Sequence, residues 1–495
     1  MTQRDQRSRW LLAAAMAAGW GLLAGWWTPR SPVTTAEALW SIVISLVVGL
    51  VAGAVVRSRW SLLAAPVVFA VAFELTRLGT DGPTVDGIHT TLYGLFAFAV
   101  GRGFQALISV LPMVLGAAFG AGFARRSGGV SPGRGWARHL RRGVAILAAV
   151  GLGAFAVVLA RPATTEPIAG PDGRPLAGSV AELDTVQVGG RRLGMMIRGQ
   201  STKNPVLLFL AGGPGGSERG AMRKHLPELE KHFTVATWDQ RGTGTSYPAL
   251  DPTSTYTLSS SVADTITVTN YLRERFGQNK IYLLGQSWGT VVGVLAVQKQ
   301  PQLYTAYVGT GQMVDPLETD RIFYTDTLAW ARKKGNSSLA DRLTAIGPPP
   351  YGQMLDYETA LTHEHEVYPY DHTGNSEGAG GFSENFIVPE YALIDQVHLL
   401  GSFMDTFAVL YPQAQGLDFR TDAATLEAPA YFVEGAHEAP GRAKPFQQWY
   451  AGLSAPRKAL TVLAGSGHRP LFEQPKEFVA FMTDTVLAQT ATAPR

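Results

Sequence analysis

Apolar residues follow two regimes along this chain. Up to about residue 162 they form long runs, at 10–27, 38–56, 60–75, 103–124 and 143–160. Most of these approach the ~20 residues that cross a bilayer, so about five transmembrane helices are predicted in an all-α region. The third run is short and carries Glu74 near its end. A further apolar stretch, 88–100, has only 13 residues and is expected to be interfacial or re-entrant; if it spans, the count becomes six.

From residue 179 onward, short apolar runs alternate with longer helix-like segments, the pattern of an α/β sheet. DTVQVGGRRLGMMIRG reads as a hairpin. PVLLFLAG, FTVATWD, KIYLLGQS, YTAYVGT, PAYFVEG and ALTVLAG read as successive buried strands, each ending at a glycine or a polar cluster. In open parallel sheets the chemistry sits at such carboxyl ends. Between about 312 and 426 the strand pattern stops and helices joined by loops are predicted, in the position of a lid. The expected organisation is a transmembrane region at 1–162 and a proline- and glycine-rich linker at 163–178. The first part of an α/β core follows at 179–311, a helical cap at 312–426 and the rest of the core at 427–495.

Composition sharpens the membrane reading. Charged residues make up 16% of the 495 and hydrophobic ones 46%, with a formal net charge of +3. That balance gives no reason to expect a nucleic-acid partner, and the lipid bilayer is the expected partner of the first region. The absence of cysteine excludes disulfides and thiolate chemistry. Arginine then sets the orientation, because cytoplasmic loops carry the excess. With five spans and the N-terminus inside, eleven arginines fall inside: Arg4, Arg7, Arg9, Arg57, Arg59, Arg125, Arg126, Arg134, Arg138, Arg141 and Arg142. Three fall outside: Arg30, Arg77 and Arg102. The chain after residue 160 is therefore expected outside the cytoplasm. Few charges lie in the spans, so they read as an anchor rather than a transporter.

Candidate chemistry begins at GQSWG, residues 285–289, which follows the strand KIYLLG and precedes the helix TVVGVLAVQKQ. Gly-x-Ser-x-Gly at a strand-to-helix turn presents a serine hydroxyl, here Ser287, above the sheet with a helix N-terminus behind it. An oxyanion developing on its target needs two fixed N–H donors. Trp288 supplies one, and the glycine loop of PVLLFLAGGPGGS the other, with Gly213 the first choice and Gly212 the second. No lysine followed by serine or threonine comes after these glycines, which disfavours a nucleotide loop.

TWDQRGTGTS follows at 237–246. GGPGG, WDQRGTGTS and GQSWG, in this order and spacing, resemble the proline iminopeptidase branch of the α/β-hydrolase superfamily over about residues 180–495. The resemblance implies an α/β-hydrolase fold with a Ser-His-acid triad, an oxyanion hole and a helical cap. It also implies that Asp239 and Arg241 shape the loop beside the site, their plain structural reading being an ion pair. Ala211 departs from the family's His-Gly-Gly-Pro-Gly, which puts the shape of the oxyanion loop in question.

His468, in GSGHRPLFEQP, is the one histidine that follows the last predicted strand in a glycine-rich loop, where the family carries its base. Three acids compete for the third position. Glu438 lies three residues beyond Gly435, the spacing of the family's aspartate; Glu434 ends the strand PAYFVEG; Asp315 follows an earlier strand. Histidines and glutamates at 363–366 (HEHE) lack a helical i, i+4 ligand pair and read as a solvated polar run. No metal and no cofactor is expected.

A peptidase of this branch must hold a free α-ammonium, so carboxylates in the lid are required; Glu384, Glu390, Asp395 and Asp405 are candidates, with no pair singled out. The leading expectation is a membrane-anchored aminopeptidase-like serine hydrolase acting on a peptide or small-molecule substrate. Hydrolysis of esters or amides of small or lipid-like molecules is the alternative, and a non-enzymatic receptor that kept the fold is a second.

Overall fold

A computed structural model describes residues 3–127, 136–370 and 383–490, and divides into two compact units. One comprises Met1–Pro162 with Ala392–Gly401; the other comprises Ala163–Tyr391 and Ser402–Arg495. Arg134, counted above among the inside arginines, and part of the expected cap, 371–382, lie outside the described residues.

The first unit is all helical. Its helices run over Gln3–Trp27, Thr35–Val56, Ser61–Thr76, Leu92–Ser127 and Trp136–Leu159. Glycine spacing explains how two of them meet. A Cβ on Gly49 or Gly53 would lie 2.0 Å from the Met113 carbonyl oxygen or 2.2 Å from that of Ala117. One on Gly116 or Gly120 would lie 2.1 Å from Leu46 O or 2.0 Å from Leu50 O. Two Gly-x-x-x-Gly faces thus interlock, a close backbone packing favoured where lipid supplies no hydrophobic drive between helices. The outer surface fits that solvent: among the described residues, every exposed large hydrophobic side chain except Ile387 and Val462 lies within the first 158 positions.

Two expectations change here. The stretch 88–100 does not form a separate interfacial element, because from Leu92 it is the beginning of the 36-residue helix Leu92–Ser127. Gly101, Arg102 and Gly103 interrupt the apolar pattern but not the helix. The backbone widens into π-turns at Ala99–Gly103 and Ala106–Val110, and Arg102 donates to Glu74 and to the carbonyls of Val85 and Asp86. By length and composition the helices able to cross a membrane are Gln3–Trp27, Thr35–Val56, Leu92–Ser127, His139–Leu159 and Leu393–Ala414, whereas Ser61–Thr76 is a shorter apolar helix. The sequence pattern places 393–414 only in the cap. Its first residues, Ala392–Gly401, instead belong to the first unit. There Ile394 shares a core with Ala38, Ile42, Phe104, Ile108 and Leu159, and His398 Nε2 lies 2.8 Å from Pro32 O.

The second unit is built on one eight-stranded sheet, ordered β1-β2-β4-β3-β5-β6-β7-β8. The strands are β1 Val180–Val188, β2 Arg191–Gly199, β3 Val206–Leu210, β4 Thr234–Trp238, β5 Ile281–Gln286, β6 Tyr304–Thr310, β7 Ala430–Gly435 and β8 Lys458–Leu463. β1 pairs antiparallel with β2, and β2 with β4; all other pairs are parallel. Burial on both faces explains why the central strands read as continuous apolar runs. Leu207, Phe209, Tyr282, Leu284, Ala306, Val308, Tyr431 and Val433 alternate along their strands onto one face, beneath Leu226, Phe472, Phe478 and Phe481. Truncating a buried ring such as Phe209 to alanine costs about 3–5 kcal/mol.

Between β6 and β7 lies a helical insertion. It includes Pro316–Lys334, Ser337–Ile346, Met354–Leu361 and the four-residue turn Glu364–Val367. The stretch expected as a linker is partly tied down: Arg198 donates to Thr165 Oγ1 and Glu166 O, and Ala169 bridges to Pro175.

Candidate active site

Strand order places the site. β3 and β5 are neighbours in space, yet the chain leaves β3 for β4 on one side and then crosses back. Crevices at the carboxyl ends of strands open at such reversals. The glycine loop follows β3, and Ser287 follows β5.

Ser287 has φ +51° and ψ −118°, a left-handed conformation rare outside glycine that costs on the order of 1–3 kcal/mol. Neighbouring hydrogen bonds enforce it. Its N–H donates to Thr310 O at 3.0 Å, and its carbonyl accepts from Thr290 N at 2.8 Å and Thr290 Oγ1 at 2.6 Å. The flanking glycines let the helix Trp288–Lys299 close on the sheet: a Cβ at Gly289 would lie 2.0 Å from Leu210 O, and one at Gly285 2.6 Å from Gly289 O. Trp288 opens that helix, where unpaired N–H groups and the helix dipole favour negative charge.

In the glycine loop, the Gly212 N–H donates to Glu218 Oε2 at 3.3 Å. The N–H groups of Gly213 and Trp288 have no protein acceptor among the described residues. A side chain at position 212 would strike Gln286 Oε1 at 2.3 Å. Ala211 stands where the resembled family has histidine, and its carbonyl accepts from Gln240 Nε2 at 3.1 Å.

His468 Nε2 lies 2.9 Å from Ser287 Oγ, and His468 Nδ1 lies 2.6 Å from Glu438 Oε2. The other oxygen of Glu438 is fully engaged: Oε1 accepts from Ala439 N and from Arg442 Nε, both at 2.8 Å. Burial alone would raise this carboxyl, but the charges of Arg442 and His468 and their hydrogen bonds outweigh it and hold it down at about 2. The histidine loop is gripped on both sides by Glu473, whose oxygens accept from Gly467 N at 2.5 Å and Arg469 N at 3.1 Å.

The other two candidate acids have different partners. Glu434 Oε1 accepts from Gln312 N at 2.9 Å, and Gln312 in turn accepts from the Tyr307 hydroxyl at 2.8 Å. Burial, then the nearby charge of Glu438, pushes the Glu434 carboxyl well above its usual range. Asp315 caps the helix Pro316–Lys334 by accepting from Glu318 N, and pairs with Arg420, both at 2.8 Å.

Asp239 and Arg241 do not form the expected ion pair with each other. Asp239 pairs with Arg219 at 2.9 Å and accepts from Thr245 and from the Tyr391 hydroxyl. Arg241 donates to the carbonyls of Ala249, Leu250 and Thr255, and lies 4.6 Å over the Tyr256 ring. Each supports the loop separately, which the two-residue spacing disguised.

All four carboxylates considered for an ammonium are already engaged. Glu384 meets His225 at 2.5 Å and Arg469 at 2.8 Å, and Glu390 pairs with Arg223. Asp405 accepts from Tyr247 at 2.6 Å, and Asp395 from Ala392 N at 3.0 Å. The stretch 363–366 is not simply solvated, because Glu364 forms an ion pair with Arg442. Sequence reasoning missed Arg442, Glu473 and Arg469. Of their side-chain ion pairs, only that of Arg442 with Glu438 had a local spacing to read, i, i+4, whereas Arg469 pairs with the distant Glu218 and Glu384.

The profile of the α/β-hydrolase fold matches residues 205–333. YbaC, a probable aminopeptidase of Bacillus subtilis (strain 168), is 30% identical over 321 residues, 61% of this chain and 96% of that protein. Among solved structures, a proline iminopeptidase-related protein of Thermus thermophilus aligns with a TM-score of 0.44 and 20% identity, over 62% of this chain and 98% of that one. A proline iminopeptidase of Mycobacterium smegmatis aligns with a TM-score of 0.39 and 19% identity, over 62% and 98%. Since the match to the Bacillus protein runs over nearly its whole length, the chain belongs to the α/β-hydrolase superfamily, with long apolar helices ahead of its hydrolase domain.

Proposed function

We propose that this protein is a membrane-anchored serine hydrolase in which Ser287, His468 and Glu438 form a catalytic triad. The reading rests on one observation, the continuous hydrogen-bonded line from Ser287 Oγ through both ring nitrogens of His468 to Glu438 Oε2. In this scheme Ser287 Oγ attacks the acyl carbon while His468 Nε2 takes its proton. The proton passes to the leaving group as the acyl bond breaks. Water, activated by the same imidazole, then releases the acid and restores the serine. Glu438, held ionised, fixes the ring through Nδ1. The N–H groups of Gly213 and Trp288 stabilise the oxyanion, each such donor being worth about 10²–10³ in rate.

Aminopeptidase-like action is the favoured substrate class, supported by the identity with a probable aminopeptidase over nearly its full length. A specific observation keeps ester and amide hydrolysis as the second reading. Glu384, Glu390, Asp395 and Asp405 each already have a partner, leaving none of them as an obvious ammonium anchor. Counted with the shorter helix Ser61–Thr76 as a span, the arginine distribution supports a hydrolase domain facing away from the cytoplasm.

Full-length protein in detergent should label with a fluorophosphonate at Ser287 and turn over aminoacyl arylamides faster than N-blocked arylamides and simple aryl esters. The reverse order of substrates would select the second reading, and no labelling would refute the hydrolase reading itself. A periplasmic-type reporter fused after residue 165 should be active; a cytoplasmic signal there would overturn the orientation.

A further inference from the structure

We propose that Arg442 and Glu364 are positioning residues through which the helical insertion orients the triad carboxylate. The starting point is how Glu438 divides its oxygens. Oε2 faces His468, while Oε1 is occupied by Ala439 N and Arg442 Nε. A glutamate has one more side-chain torsion than the aspartate of the resembled family, so it needs something to choose its rotamer. A planar guanidinium fork does this well, because its donors are fixed relative to one another.

Arg442 is itself held from two directions. It sits near the start of the helix Pro440–Gly452, with its side chain 8% exposed. Its second contact is to Glu364, the first residue of the turn Glu364–Val367 in the insertion. Its guanidinium lies 4.8 Å over the Phe323 ring of Pro316–Lys334, and Gly441 beside it accepts from Thr319 Oγ1 at 2.8 Å. The charged and titratable groups around it come from every neighbouring element: Glu434 and Glu438 from β7 and the loop after it, and Glu364 and Tyr368 from the insertion turn. Asp320 comes from Pro316–Lys334, Tyr411 lies beyond the Leu393–Leu410 helix, and His468 sits across the carboxylate. Arg442 is thus a buried cation bridging two carboxylates, one in the triad and one in the insertion. Losing Glu364 leaves the guanidinium anchored on a single side, and Glu438 loses its fixed partner with it.

A double-mutant cycle on the full-length protein tests this. Arg442→Met should lower kcat by about 10–100-fold, because the guanidinium that fixes the Glu438 rotamer and helps keep its carboxyl ionised has gone. Glu364→Gln should lower kcat by about 3–10-fold at unchanged KM, and should have no further effect in the Arg442→Met background. Glu364 is partly exposed, so this arm stands even if Arg442→Met folds poorly; Arg442→Lys, which keeps the charge but not the fork, should then show the intermediate loss. A Glu364→Gln variant with the kcat of the unmodified protein, a change confined to KM, or a loss that persists undiminished beside Arg442→Met would each overturn the proposal. The proposal rests on the triad proposed above, and the two fail differently. Turnover retained by Ser287→Ala sinks the triad, whereas an inactive Ser287→Ala beside an unaffected Glu364→Gln sinks only the positioning pair.

Discussion

Ser287→Ala in the full-length protein is expected to reduce kcat by about 10⁵–10⁶-fold, leaving only what binding and the oxyanion donors contribute. The hydroxyl oxygen is the atom 2.9 Å from His468 Nε2, and alanine offers nothing in its place. The elbow conformation makes a second variant informative without any substrate. At φ +51° and ψ −118° every side chain is strained, whereas glycine is not. Ser287→Gly should therefore be as inactive as Ser287→Ala and more stable to denaturation, by on the order of 1–3 kcal/mol. Thermal melts of both variants beside their turnover check this. An active alanine variant would remove the nucleophile from the scheme, and a glycine variant melting below the alanine one would contradict the strain.

The two glutamates at the end of β7 are expected to separate sharply. Glu438→Gln should lower kcat by about 10⁴-fold, because an amide can turn its NH₂ toward Nδ1 and stabilise the wrong tautomer of His468. Glu434→Gln should stay within a few-fold of the unmodified protein, since its oxygen serves only to accept the Gln312 N–H, which an amide oxygen can also do.

Stability against pH should separate them too, with opposite signs. The Glu438 carboxyl is held below its usual value near 4.5, at about 2. Its ionised form therefore stabilises the fold above pH 4.5, and that contribution is lost as the pH falls toward 2. Glu434 is raised, so its contribution is intact below about 4.5 and is lost as the pH climbs through its higher folded value. Glu434→Gln should hence gain stability relative to the unmodified protein as pH rises above 4.5. Denaturation series at pH 4 and pH 8 measure this. Loss of turnover in Glu434→Gln with Glu438→Gln unaffected would exchange their roles.

Local pattern carried the sheet. Each strand from β3 to β7 reads as an apolar run stopped by glycine or a polar group, because both faces are covered and the turn follows at once; β8, at the sheet edge with Val462 exposed, kept the run without that cover. Ser287 and His468 were addressable for the same reason: each sits a residue or a few beyond a strand, in a glycine-flanked turn. What pattern did not carry are side-chain contacts between segments far apart in sequence. Arg442 meets Glu364 across 78 positions, and Arg469 meets Glu218 across 251. Neither pairing has a period or a spacing that could announce it. The helix Leu92–Ser127 was missed for the opposite reason, a local signal that misled. Two glycines and an arginine look like a break, yet the backbone continues through them once Arg102 finds Glu74 and two carbonyls.

Ala392–Gly401 carries a practical consequence for anyone handling this enzyme. These ten residues lie more than two hundred positions after the last of the N-terminal helices, yet they form one body with those helices. Cutting the gene at residue 162 to obtain a detergent-free hydrolase would not release a finished domain. It would strip Ile394 and Val397 of Ala38, Ile42 and Phe104 and leave an oily strip facing water. Such a fragment is an amputation rather than an excision, and its tendency to clump would say nothing about the intact enzyme.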